Sequence, residues 1–289
     1  MMMRIGNTAF VAAMAALVLT TEAEAQSPPL PTDVPVWMVG HPQLDGRSLE
    51  PYSDVRFAMG RAGKEGPLAV GESVQAAAHQ AMSLTAETRD GRDVWVRSAA
   101  TYRAGETEPV VTAEIVMDRA TLAPIEARIR QGEAERVTEY DWGAHRVRTY
   151  NPGGNEGPAD SLDLLALEAG AHETWMAAIP WRDGLRVMIP SLLAGGGGKW
   201  WAVPHVVGSE PIDVGDGVRR DAWVVEMDWW GMGSEQGVYT PGGGVNDTAG
   251  SGGKYWVLKD RVAGLPRVVR VRTEVDATAD NVVQIQEGM

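Results

Sequence analysis

Two short segments combine residue types that phosphate and metal sites use, but neither has the spacing that the chemistry requires. Gly195–Lys199 (GGGGK) ends on the lysine of a phosphate-binding loop, yet Trp200 stands where that loop needs Ser or Thr at the start of a helix. His172–Met176 (HETWM) begins as a zinc-binding helix does, yet Met176 occupies the place of the second histidine ligand. We therefore expect a flexible turn at the first segment and a structural or surface histidine at the second.

The acidic run from Glu210 to Asp221 is the third candidate for chemistry, with Asp213 and Asp216 between its ends. Paired carboxylates can act as general acid and base in hydrolysis, and clustered carboxylates can hold calcium. The run lacks the Asp-x-Asp-x-Asp-Gly order of a calcium-binding loop, and Gly215–Gly217 is typical of a hairpin turn. The chain has 0 Cys, which excludes thiolate chemistry, and its five His are scattered. From motifs we predict no catalytic residue, no cofactor and no metal site.

Tryptophan is over-represented, with 11 Trp against 2 Phe. Each buried indole removes about 150–250 Å² from water, so most of these side chains must belong to the core. A few can still line an aromatic cavity for an acyl chain or stack on a sugar. Alternation along a strand places Trp223 and Trp229 on one face with Val225 and Met227. We predict that the ligand-binding residues are the tryptophans that flank a glycine-rich loop: Trp200, Trp223, Trp229 and Trp256.

Charge and the N-terminus indicate the class of protein. The chain carries 26 Lys and Arg against 39 Asp and Glu, a formal charge of −13, which disfavours nucleic acid as a partner. Met1–Ala25 has Arg4, an apolar run over Ala9–Leu19 and an Ala-x-Ala ending, the layout of a cleaved secretory signal. We therefore expect a mature chain that starts at Gln26 in the periplasm or outside a bacterium. Since no later apolar run approaches about 20 residues, we expect no membrane span.

The remaining sequence predicts a proline-rich linker over residues 26–35 and a single β-rich domain over 36–289. From about Met82 onward, short strand-like runs alternate with turn signals such as Asp-Gly. Apolar and charged residues alternate strictly over Ile125–Arg130, which predicts an antiparallel sheet with its charged side chains on one wet face. Helical spacing of apolar residues over 161–180 predicts one helix of four to five turns that ends at a proline.

Four pieces of the sequence occur in a recognisable order. They are the hairpin Val116–Pro124, a helix followed by the turn Ile179–Gly184, the strand Val207–Glu210, and Tyr255–Arg267 after a glycine-rich loop. This order, which covers roughly residues 82–276, resembles an uncharacterised family of bacterial envelope β-proteins whose sheets are similar to those of the outer-membrane lipoprotein carriers. The resemblance implies a mainly β fold: a curved antiparallel sheet, or open half-barrel, with one helix against its concave side.

Three functions are consistent with these features. The first is a non-enzymatic carrier that holds an apolar or amphipathic ligand, such as a lipid or a lipoprotein segment, in the concavity of the sheet. In that case Gly231–Gly253, with 9 Gly, is either a lid or a disordered loop. The second is an envelope hydrolase that acts on glycan or ester with the acids of Glu210–Asp221. The third is an interaction module whose open sheet edge pairs with a strand of an envelope protein.

Overall fold

The computed structural model describes residues 31–63, 75–154, 156–162, 165–194, 198–214, 216–232, 239–241, 253–274 and 279–285. The predicted signal segment, Gly195–Gly197 and most of the loop Gly231–Gly253 lie outside these ranges. Within them, no helix combines the length and the apolar composition needed to cross a bilayer.

Strands account for nearly all of the regular structure. They are β1 (Tyr52–Gly63), β2 (Gln75–Arg89), β3 (Arg92–Arg103), β4 (Val111–Asp118), β5 (Pro124–Gln131), β6 (Ala134–Asp141), β7 (Arg146–Tyr150), β8 (Glu156–Ser161), β9 (Leu167–Glu168), β10 (Ile189–Leu192), β11 (Lys199–Asp213), β12 (Arg219–Met232), β13 (Tyr239–Pro241), β14 (Gly253–Leu258), β15 (Val268–Glu274) and β16 (Ala279–Ile285). One α-helix, α1 (His172–Ala178), and the 3-10 turns Gly46–Ser48 and Ala169–Ala171 complete the described elements.

The strands form one sheet whose two edge strands, β8 and β9, are neighbours in the sequence. The order is β8-β7-β6-β5-β4-β3-β2-β1-β16-β15-β14-β12-β11-β10-β9, with β13 paired to β12. Among these strands only β9 and β10 pair in parallel. Only residues 162–166 link the two edge strands. The end of β8 and the start of β9 therefore lie within about 22 Å of each other. Lys199 Nζ on β11 donates to the Ser161 carbonyl on β8 at 2.7 Å. The sheet therefore curls back on itself, which confirms the predicted half-barrel.

Local sequence explains the hairpins. Between β2 and β3, Asp90 and Gly91 adopt φ angles of 49° and 75°, the left-handed pair that a two-residue turn needs to match the twist of its strands. On β5, Ala127 is buried while Arg128 and Arg130 are exposed. The alternation of apolar and charged side chains thus places one face of this hairpin region on the core, as predicted.

The helix is shorter than its apolar spacing predicts. Among the described residues of 161–180, the α-helix takes in only the seven residues of α1, because Leu167–Glu168 forms β9 and pairs with β10. The Glu168 carboxylate accepts a hydrogen bond from Gly170 N, which caps a 3-10 turn there instead of continuing a helix. Strand pairing and this cap outweigh the helical periodicity. Pro180 does end the helix as predicted, since Ile179 before it is extended (φ −68°, ψ 132°).

Helix α1 lies on the concave side of the sheet. Glu173 on the helix pairs with Arg97 on β3, while His172 meets the ring of Trp229 on β12 edge-on at 6.2 Å. Five strands separate β3 from β12 in the sheet order. Only the inside of a curled sheet can bring both strands to one short helix. Trp175, 0% exposed, anchors the helix in the main core.

The outer face of β11 and β12 is covered by the N-terminal segment. Val34, 9% exposed, packs in a separate apolar cluster with Met188, Trp201, Val203 and Trp230. The described part of the predicted linker, residues 31–35, therefore lies against the sheet. Farther along the chain, β1 pairs with β2 and β16 and joins the two halves of the sheet.

Candidate functional site

Three of the four predicted tryptophans share one face of the sheet. Trp223 and Trp229 lie on the same side of β12, and Trp200 joins them because its neighbour Ala202 pairs with Trp229. Trp256 pairs with Val224, so it lies on the opposite side. The register therefore groups Trp200, Trp223 and Trp229 and sets Trp256 apart.

Each of these indoles already has neighbours within the protein. Lys259 Nζ lies 4.1 Å from the ring centroid of Trp223. Trp256 donates its Nε1 hydrogen to a Glu210 carboxylate oxygen, and the Arg270 guanidinium lies 5.5 Å from its ring centroid. These contacts do not measure ligand binding, so the assignment of the four tryptophans stays a prediction.

The acidic run belongs to the β11–β12 hairpin. Glu210 accepts from Trp256, and Asp213 accepts a hydrogen bond from Gly217 N in the turn. Arg220 forms an ion pair with Asp216 and lowers the pKa of that carboxyl to about 2. No three His, Asp or Glu side chains converge as a metal site would require in the part of the chain that the structure describes.

A buried group of charges that no sequence motif indicated lies inside the half-barrel. Arg97 Nη2 is 3.4 Å from Glu173 Oε2, and the two side chains are only 4% and 15% exposed. His172 Nε2 lies 3.5 Å from the other carboxylate oxygen, Oε1. His172 Nδ1 is 2.9 Å from the Ala169 carbonyl, which can only accept, so Nδ1 carries a hydrogen and donates it there.

The electrostatics of this group favour an ionised glutamate. Burial by itself raises the pKa of the Glu173 carboxyl, but the positive charges of His172 and Arg97 outweigh burial, and the net pKa lies below its usual value. Arg97 Nε is buried and has no hydrogen-bond partner among the described residues. The guanidinium is therefore incompletely satisfied, and its single long contact to Glu173 is the main compensation for its burial.

A second buried carboxyl holds the two ends of the sheet together. Glu168 on β9, 1% exposed, accepts hydrogen bonds from the hydroxyl of Tyr140 on β6 and from the backbone N–H groups of Gly170 and Ala194. Burial raises the pKa of Glu168, and these hydrogen bonds offset only part of that effect. The pairing links strands near opposite edges of the curled sheet, so this acid is positioned to shape the barrel.

Beside the buried ion pair lies a cavity of about 40 Å³. At roughly 10–15 Å³ for each water, it has room for about three water molecules or the last few methylene groups of a chain. Strands β1, β2 and β15 and helix α1 enclose it. Its apolar lining includes Phe57, Met82, Leu84, Ala177, Val268 and Val271.

Polar groups line part of this cavity as well. Glu173 and Thr174 line it from the helix, and in the part of the chain that the structure describes the buried Thr174 hydroxyl has no hydrogen-bond partner. Arg261 and Arg267 line it from the turn between β14 and β15. Burial first, and then the nearby charge of Arg261, lower the pKa of Arg267 to about 10, with a small opposing effect of Asp260. The cavity thus combines apolar walls with a charged end.

Sequence reasoning missed Arg97 and Glu173 for different reasons. Arg97 was expected with the other arginines of its region on the wet face, yet it shares the parity of the buried residues Trp95 and Ala99. That parity was the available signal. Glu173 stood inside the incomplete zinc motif His172–Met176, and the missing ligand hid its place on the helix.

Comparison with known proteins finds a structural likeness and no sequence relative. No family model and no curated protein matches the chain. A crystal structure of a β-barrel-like protein of domain of unknown function DUF1849 from Brucella abortus is similar to it, with a TM-score of 0.44 and 6% sequence identity. The likeness covers 82% of this chain and 98% of that chain. Any functional conclusion therefore depends on the residues of this chain.

Proposed function

We propose that this protein binds an apolar or amphipathic ligand, such as a lipid or a lipidated segment, and that the end of an apolar chain enters the concave cavity. The observation that carries the proposal is the apolar-walled cavity of about 40 Å³ on the inside of the curled sheet, beside helix α1. Ligand sites are typically concave and apolar, with a few polar groups that fix orientation. The cavity has that composition.

The size of the cavity limits how the ligand binds. Three or four methylene groups at about 0.8 kcal/mol each give about 3 kcal/mol. Micromolar affinity needs about 8 kcal/mol, so the cavity alone supplies less than half. The rest of the ligand must therefore gain affinity from the polar side of the cavity or from the adjoining surface.

Filling the cavity tests this proposal. Val271 lines the cavity, so Val271→Phe should exclude the ligand, whereas Val207, 47% exposed on β11, provides the same substitution as a control. With the neutral apolar dye N-phenyl-1-naphthylamine, we expect Val271→Phe to raise Kd at least tenfold and Val207→Phe to leave it unchanged. Near-ultraviolet circular dichroism checks that both variants are folded. Unchanged dye binding by a folded Val271→Phe protein would show that the cavity is not the site.

The predicted tryptophan face is tested in the same titration. Trp229→Ala and Trp223→Ala remove two of the indoles that share the concave face of β12. If these variants lose dye binding while Val271→Phe retains it, the ligand lies on the tryptophan face and not in the cavity beside α1. If only Val271→Phe loses binding, the indoles serve the core.

The cellular location is part of the proposal. Met1–Ala25 is proposed to direct export to the periplasm and to be removed, as the composition of that segment indicates. Native mass spectrometry of the protein from a bacterial periplasm should give a chain that begins at Gln26, with extra mass that extracts into organic solvent. An uncleaved chain in the cytoplasmic fraction would contradict the location, and a bare mature chain would contradict a tightly held ligand. The resemblance to lipoprotein carriers agrees with this location and stays a prediction.

A further inference from the structure

We propose that the ligand of this cavity is an anionic amphiphile, a single apolar chain with a carboxylate or phosphate head group that Arg261 and Arg267 bind at the charged end of the cavity. This inference rests on the proposed function and specifies the chemistry of its ligand. Both arginines line the same cavity as the apolar residues that would take the chain. An elongated ligand can therefore contact both kinds of surface at once.

Arg267 is fixed in place and has donor capacity to spare. Its Nη1 donates to the Ala177 carbonyl at 2.6 Å and to the Ile179 carbonyl at 3.4 Å, and its Nε donates to the Leu258 carbonyl at 3.0 Å. Nη2 makes no hydrogen bond to any residue that the structure describes. A guanidinium held by its other nitrogens loses little side-chain entropy when it binds an anion.

The two arginines repel each other where they stand. Arg261 is exposed and makes no ion pair with a described residue, and its charge opposes that of Arg267 across the cavity end. Bringing two like charges to a partly desolvated place costs free energy that a bound anion would recover. Asp260 attracts Arg267 but is not among the residues that line the cavity.

The acidic residues at the cavity do not cancel the arginines. Glu173 is already engaged by Arg97 and His172, so a ligand cation would gain little from it. Glu50 lines the cavity from the segment before β1 and is exposed, and within the described ranges it forms no ion pair with either arginine. One exposed acid therefore faces two arginines, and the balance favours an anionic head group.

Charge reversal at Arg261 tests this inference, because this side chain caps no helix and its loss should not affect folding. The probe is 11-(dansylamino)undecanoic acid, a fluorescent carboxylate, and N-phenyl-1-naphthylamine is the neutral reference. The control is Arg92→Glu, the same charge change at an exposed residue after the β2–β3 turn. We expect Arg261→Glu to raise the Kd of the carboxylate probe at least tenfold, and to change that of the neutral dye less than twofold. Arg92→Glu should change both less than twofold.

Competition identifies the head group. Oleate and oleoyl lysophosphatidate should both displace the carboxylate probe, and monoolein, which has a neutral head, should displace it at least tenfold less well. Displacement by only one of the two anions assigns the head group to carboxylate or to phosphate. High salt should weaken the carboxylate probe more than the neutral dye, because exposed charges are screened.

The outcomes separate this inference from the function on which it rests. If Arg261→Glu binds the carboxylate probe as the unaltered protein does, or if monoolein competes equally, the anionic head group is wrong. If Val271→Phe still abolishes binding in that case, the cavity remains the site. If the unaltered protein binds neither probe, both the function and the inference are overturned.

Discussion

Breaking the buried ion pair between Arg97 and Glu173 should cost several kcal/mol of stability, and removing both charges should restore most of it. Arg97→Met leaves a glutamate carboxylate in a position where its side chain is only 15% exposed, and Glu173→Leu leaves a guanidinium that is 4% exposed. Removal of one partner of a buried pair typically costs about 3–5 kcal/mol, whereas apolar replacement of both is often neutral. His172 still contacts Glu173 in the first variant, so we expect about 3 kcal/mol there and about 4 kcal/mol for the second.

The double variant Arg97→Met/Glu173→Leu carries the decisive result. The pair has one contact at 3.4 Å, and Arg97 Nε has no hydrogen-bond partner within the described ranges, so the pair compensates poorly for its desolvation. We expect the free energy of unfolding of the double variant to lie within about 2 kcal/mol of that of the unaltered protein. The two single substitutions would then show a coupling energy of several kcal/mol. Urea unfolding followed by tryptophan fluorescence measures each free energy of unfolding. Effects that add to within about 0.5 kcal/mol would refute the reasoning.

An exposed pair serves as the control, and pH provides a second test. Arg89 and Glu114 lie 3.0 Å apart with 37% and 38% of their side chains exposed, so the same cycle there should give a coupling below about 1 kcal/mol. The pKa of Glu173 is lower in the folded protein than in the unfolded chain. Its contribution to stability is therefore present above the unfolded pKa and is lost as the pH falls through the folded pKa. The coupling should shrink on acidification over that range.

Two further predictions concern Glu168 and Gly46. The folded pKa of Glu168 is raised, so its contribution to stability is fully present below the unfolded pKa and is lost as the pH rises through the folded pKa; Glu168→Gln should flatten the dependence of Tm on pH above about 4.5. A Tm–pH curve parallel to that of the unaltered protein would contradict this. Gly46→Ala would force a Cβ against the Arg119 carbonyl oxygen and lower the free energy of unfolding by about 1–3 kcal/mol in urea, whereas Gly208→Ala, with no atom within 4 Å of its Cβ, should have little effect.

Strands and hairpins followed from the sequence because their determinants are local. The alternation around Ala127 and the turn at Asp90–Gly91 need no information from distant residues. The helix did not follow, because β9 depends on pairing between Leu167–Glu168 and β10, which lies beyond a helix and a turn. The periodicity of a segment shows which of its residues are apolar, but it does not show which strand the segment will pair with.

The site was harder to predict than the fold, since it consists of exceptions to the pattern. Arg97 occupies a core-facing position between Trp95 and Ala99. A cation is unfavourable there without the contact to Glu173, which lies on a helix more than 70 residues later in the sequence. The high number of tryptophans indicated an aromatic site, but amino-acid composition does not specify which face of the curled sheet is concave. A buried charge against the local alternation is therefore the better signal for a site in such a sheet.

Pro180 determines where helix α1 ends, and the end of the helix in turn positions Arg267 at the cavity. Pro180 forces Ile179 into extended backbone, so α1 stops at Ala178 and its last carbonyls lack helical partners. Arg267 donates to the Ala177 and Ile179 carbonyls, which a cation at the negative end of a helix dipole does favourably. The same contacts hold its guanidinium at the cavity, which the helix itself lines with Glu173, Thr174 and Ala177. The end of the helix thus fixes the position of a positive charge beside the apolar walls.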